Sequence, residues 1–307
     1  MQAGINAAAP TVTLGGEVWV AQGTYTQHVS IPAFVYLYGG FAGAETNRAS
    51  RSVPTHTTIL DGGLQPTVVQ SVSAGYLVSA LDGFTIQNGG LYTAGQLAGL
   101  WPNALGGGIQ CEISAPIIAN NVIRSNSVGN PFGSNGTAKG GGIYLYLGHA
   151  QITNNTITRN DVLDTTAGSG GGLYCIRSKP TIAQNFFNQN HAAYGPAIAA
   201  DLLSSVRITG NTILTNFMYN SLPSPTYQGA FEGAVFLTGS NGFLIEANAV
   251  QGNWAYVEPH RSCLGAETPG ALDGQYDGSE LAFRRRPDLQ HSIQSRRLRR
   301  RLAEPDQ

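Results

Sequence analysis

Gly140-Gly-Gly-Ile-Tyr-Leu-Tyr146, followed four residues later by Gln151-Ile-Thr-Asn-Asn-Thr-Ile-Thr-Arg-Asn160, is the stretch whose reading decides the fold. Ile152, Asn155, Ile157 and Asn160 do not share a helical stripe. Asparagine at two fixed places is also a poor choice for a helix. The apolar alternation has period 2, so the stretch reads as short strands broken by tight turns. Working outward, the same pattern, Ile-x-x-Asn-x-apolar-x-x-Asn, recurs five times. It starts at Ile118, Ile152, Ile182, Ile208 and Ile245. Ahead of each copy stands a small-residue run ending in an aliphatic side chain. These are Gly106–Ile109, Gly140–Ile143, Gly170–Leu173, Gly195–Ile198 and Gly233–Val235.

The spacings describe a solenoid. From the aliphatic residue to the first Ile of the pattern the gaps are 9, 9, 9, 10 and 10 residues. From the last Asn to the next aliphatic residue they are 17, 13, 8 and 19, so the length variation falls in one connection. Leu173 to Ile198 is 25 residues, the scale of one β-solenoid coil. Coils stacked at the sheet spacing of about 4.8 Å align like residues. Three interior stacks follow: Ile109/Ile143/Leu173/Ile198/Val235, Ile118/Ile152/Ile182/Ile208/Ile245 and Ile123/Ile157/Phe187/Ile213/Val250. Asn121, Asn155, Asn185, Asn211 and Asn248 form an amide ladder at a corner. Asparagine suits that place because it tolerates left-handed backbone and both donates and accepts. Glycine runs allow positive φ between strands.

The repeats resemble those of right-handed parallel β-helix proteins of the pectate-lyase-like superfamily. The GGGI runs, with Phe187–Asn190, are also similar to the repeats of polymorphic outer membrane proteins. The resemblance covers about residues 1–258. It implies an all-β, right-handed, single-stranded parallel β-helix. Earlier strands are read at Val18–Tyr25, Phe34–Glu45, Thr58–Gly62 and Leu81–Ile86. Gln2–Ala8 matches the end of a short capping helix, so an export signal is expected upstream of the chain. The resemblance also implies a secreted or cell-surface location.

Composition narrows function. Charged residues are 11% of 307 and the net charge is −1, which excludes nucleic-acid binding through bulk positive charge. No apolar run reaches the roughly 20 residues of a membrane-spanning helix. Residues 1–258 carry −3 and residues 259–307 carry +2, with eight arginines between Arg284 and Arg301. The 259–307 segment lacks the repeat and reads as a low-order basic tail, too poor in apolar residues to add a coil. Cys111, Cys175 and Cys263 are too scattered for a disulfide framework. Cys111 and Cys175 fall at inward positions two coils apart, about 9.6 Å, beyond disulfide reach.

Chemistry is expected at outward positions of the GGGI strand. Tyr144, Tyr146, Tyr174 and Phe236 fall there, and flat rings with polar tips suit stacking on sugars. The competing expectation is that long inserts, Val128–Lys139 or Met218–Glu232, fold over and bury them. Glu112 and Asp201 share an outward column but stand three coils apart, about 14 Å, too far for a glycosidase pair. Of the polygalacturonase-like signatures only Arg177-Ser-Lys179 has a match, at a spacing of low information. Asp161 and Asp164, near Arg159, form the closest acidic cluster for a calcium ion, against a plain polar loop. His28, His56, His149 and His191 are unclustered in sequence and no metal spacing appears. The favoured expectation is an adhesin-like surface protein that binds polysaccharide and needs no cofactor. The alternative is a polysaccharide lyase or glycoside hydrolase.

Overall fold

The computed structural model describes residues 1–9, 15–65, 67–72, 77–90, 105–129, 138–163, 168–220, 233–238, 242–257, 276–277 and 282–284. It is a parallel β-helix with four short strands to a coil. In one central coil the first face is Ile143–Tyr146, the second Gln151–Thr153, the third Thr156–Thr158 and the fourth Asp161–Val162. Stacked coils build sheets of 8, 8, 8 and 6 strands in that order of faces. All pairings are parallel except that of Tyr276–Asp277 with Trp254–Val257.

The three aliphatic stacks lie in the expected register: Ile143 pairs with Ile109 and Leu173, Ile152 with Ile118 and Ile182, and Ile157 with Ile123 and Phe187. Their side chains are buried in one continuous core. Each fully buried aliphatic side chain contributes roughly 1.5–3 kcal/mol, and the stack repeats that gain at every coil. Cys111 and Cys175 both face Leu145, from opposite sides, and are buried free thiols.

The asparagines form two ladders, one at each fixed Asn of the repeat, where the sequence reading assigns only the first. Along the first, each Asn backbone N–H and side-chain amide donate to Oδ1 of the next Asn at 2.8–3.1 Å. The second joins Asn126, Asn160, Asn190, Asn216 and Asn253 in the same way at 2.8–3.2 Å. Coil lengths of 34, 30, 26 and 37 residues are spanned without breaking either ladder. The ladder asparagines are not themselves left-handed. That conformation belongs to the residue before them: Asn120, Asn154, Gln184, Gly210 and Ala247 at the first corner, Ser125, Arg159, Gln189, Thr215 and Gly252 at the second. The turn swings the following amide into the stack, where extended backbone lets it reach the next rung.

The three glycines of the run serve three different needs. Gly140 and Gly170 have φ of 69° and 70°. A Cβ on Gly141 would stand 2.6 Å from the Asp161 carbonyl oxygen, because the fourth strand folds back on the start of its own coil. A Cβ on Gly142 would stand 2.5 Å from the carbonyl oxygen of Gly172 and 3.1 Å from the Asn160 side chain of the second ladder. The glycine run and the second asparagine are therefore one steric unit.

The ends differ. The helix Gln2–Ala8 covers the first coil and buries Ile5 completely. Its Gln2 side chain donates to the Ser30 carbonyl (3.1 Å) and accepts from the Ser30 N–H (2.9 Å), closing a strand edge that would otherwise invite pairing. At the other end, two short described segments of 259–307 lie against the last strands of the sheets. Ala282–Arg284 pairs with Val235–Thr238, and Tyr276–Asp277 with Trp254–Val257. Backbone hydrogen bonding of this kind needs no apolar side chain.

Candidate functional site on the outer faces

The outward columns of the first face have the expected register. Gln110, Tyr144, Tyr174, Ala199 and Phe236 form one, and Glu112, Tyr146, Ile176 and Asp201 the other. Tyr144 and Tyr174 leave the main core but do not reach open solvent, whereas Tyr146 and Phe236 are half-buried. Tyr144 is 7% exposed and Tyr174 4%. They stack on each other, centroids 5.8 Å apart and planes within 7°. They belong to a second small cluster with Ala199, edged by Leu105, Tyr146, Ile176 and Phe236. A rim made by Leu105, Lys139, Ser169 and Tyr194, bridged one to the next, runs beside this column. Two rim residues, Lys139 and Tyr194, lean on the aromatic of the following coil. Lys139 Nζ lies 5.2 Å from the Tyr174 ring centre and donates to Ser169 Oγ at 2.8 Å. Tyr194 meets Phe236 at 5.6 Å. Residues 130–137 and 221–232 of the two inserts lie outside the described residues.

Burial, with the Glu112 charge adding to it, pushes the Tyr144 hydroxyl up to about 12. Burial drives the Tyr174 hydroxyl further in the same direction, aided by the Asp201 charge. Both rings are thus neutral, with their faces spent on each other. Glu112 accepts from Gln110 Nε2 at 2.8 Å. Asp201 accepts from the Leu202 N–H at 2.7 Å and the Tyr174 hydroxyl at 3.4 Å. The two acids stand three rungs apart, about 14 Å. Arg177 and Lys179 are exposed in the turn after the strand, and among the described residues neither makes an ion pair with these acids.

The fourth face carries a different column: Ser127, Asp161, His191, Phe217 and Trp254, paired in that order. Each immediately follows the last asparagine of its repeat, so aligning the repeats one residue further reveals it. The column rests on a small apolar cluster of Val128, Ala138, Val162 and Ala192. His191 Nδ1 donates to Asp161 Oδ1 at 2.6 Å. The imidazole packs on Phe217, centroids 5.4 Å apart and tilted 31°. Phe217 is 38% exposed and Trp254 44%. Asp161, a candidate calcium ligand weighed against a plain polar loop, pairs with a histidine; Asp164 lies outside the described residues. Among the described residues no three His, Cys, Asp or Glu side chains gather as a metal ion needs. Nor is any described helix long and apolar enough to cross a membrane.

Compared with known proteins, the chain matches no family model, no curated protein and no solved structure.

Proposed function

We propose that this chain is a carbohydrate-binding β-helix, of the right-handed pectate-lyase-like kind, that works at the cell surface or outside the cell. It holds an extended polysaccharide along its fourth face, as an adhesin-like protein would. The observation that carries this reading is the open line Asp161–His191–Phe217–Trp254. A linear glycan laid along the solenoid axis meets a new outward side chain about every 4.8 Å. The carboxylate accepts from sugar hydroxyls, and the exposed rings receive the apolar C–H surfaces of pyranoses. No cofactor takes part.

The binding reading is preferred to a hydrolase because of carboxylate spacing. Glycosidases place two carboxyl groups roughly 5–9.5 Å apart, and Glu112 and Asp201 exceed that. The test is a glycan array run beside reducing-sugar and unsaturated-product assays on the same polysaccharides. Retention of a glycan without product, and its loss in a Phe217→Ala/Trp254→Ala double variant, support the proposal. Release of product from any retained glycan would replace it with the enzymatic reading.

A further inference from the structure

We infer a second sugar site, at the opposite end of the solenoid, built on Trp19. It stands independently of the fourth-face reading. Among the described residues the strand Gly16–Ala21 is the edge strand of the second-face sheet. Its outward side chains include Glu17 and Trp19. A register shift between Trp19 and Ala21 brings Phe41 of the next rung beneath the indole. The two rings are parallel within 6°, with centroids 5.0 Å apart. Phe41 is buried by this stack, whereas the edge-strand indole remains 38% exposed.

The exposed ring is fixed in its plane. Indole Nε1–H donates to Glu17 Oε2 at 2.8 Å. The other Glu17 oxygen is paired with the Arg48 guanidinium. Arg48 Nη1 donates to the Tyr38 hydroxyl at 3.0 Å, and the guanidinium lies 4.7 Å from the Tyr38 ring centre. Arg51 lies 5.1 Å from the same ring centre and is held by Asp82 at 2.8 Å. A platform ordered in advance loses little entropy on binding.

The occupant this arrangement fits is one uncharged pyranose ring. A single indole face matches the area of one sugar ring and suits its apolar C–H side. The carboxylate accepts from hydroxyls and the guanidinium donates to them. Glu17 and Arg48 neutralise each other, so the site offers no net charge to select an acidic or basic sugar.

The test titrates the full-length chain with methyl glycosides of glucose, galactose and mannose, followed by intrinsic tryptophan fluorescence. A saturable change with at least one glycoside is expected, at a Kd of about 1 mM. It should vanish in Trp19→Ala, weaken at least tenfold in Glu17→Gln, and persist in the Phe217→Ala/Trp254→Ala variant. That last arm separates this site from the fourth face. Glu17 is exposed, so Glu17→Gln carries the test if Trp19→Ala fails to fold. An unaltered titration in Glu17→Gln, or no response to any of the three glycosides up to about 100 mM, would overturn the inference.

Discussion

The first and fourth faces are made by the same device and end in opposite states. Both stack an outward aromatic column on a regular ladder of coils. On the first face Tyr144 and Tyr174 are sealed by each other and flanked by the rim from Leu105 to Tyr194. On the fourth face Phe217 and Trp254 stay open. The difference teaches that a column of rings is a structural element until something leaves it uncovered. Stacked neighbours consume ring faces, and only cover decides whether the rest meets solvent.

The largest expected effect strikes both faces together. Asn190 donates to Asn216 and to the Ile157 carbonyl, and accepts from Asn160, all within the core. Asn190→Ala strands several buried polar groups and should cost about 4 kcal/mol, read by chemical denaturation. A cost near that of an exposed substitution would mean that the faces do not depend on a common ladder.

Next come the rings themselves. Tyr174→Ala should cost about 3 kcal/mol of stability and leave glycan retention unchanged. Phe217→Ala should do the reverse, costing under about 1 kcal/mol while weakening retention several-fold. Equal stability losses at the two positions would erase the distinction between the faces.

Alkaline pH separates them further. The Tyr144 hydroxyl and the Cys111 and Cys175 thiols are pushed up to about 12, chiefly by burial, from ordinary values of 10 and 9. Raised acid groups stay neutral in the folded chain while the unfolded chain ionises. Their stabilising contribution is therefore complete below about pH 9 and is lost as pH rises toward 12. The melting temperature should fall across that window, and less steeply in Tyr144→Phe. An identical slope in Tyr144→Phe would place that hydroxyl in water.

The smallest effect concerns the rim. Lys139→Ala removes the cation over Tyr174 and partly opens the first face. Stability should drop by no more than about 1 kcal/mol. Oxidation of Tyr174 by hydroxyl radicals should rise several-fold, and an unchanged rate would relieve Lys139 of any covering role.

The repeat made the three aliphatic stacks, the first asparagine ladder and the two buried thiols legible, because each recurs at fixed spacing. The second ladder was present in the same pattern as Asn126, Asn160, Asn190, Asn216 and Asn253, but its meaning lies in contact with glycines such as Gly142, which spacing does not convey. The fourth face was hidden for a related reason. Most of its strands in the repeat region are two residues long and sit at the mouth of the connection whose length varies. Cover was legible only as one of two open expectations. The column of Tyr144 and Tyr174 is evident in sequence, yet a rim residue such as Lys139 reaches the neighbouring coil, not its own.

Hydroxyl-radical footprinting with residue-level mass spectrometry tests the central claim most directly, first on the free chain and then with the glycan identified on the array. Phe217 and Trp254 should oxidise rapidly in the free chain, Tyr144 and Tyr174 slowly, and the glycan should protect Phe217 and Trp254 alone among these four. Rapid oxidation of Tyr144 and Tyr174 that the glycan suppresses, with Phe217 and Trp254 unaffected, would contradict the account and return the binding surface to the first face.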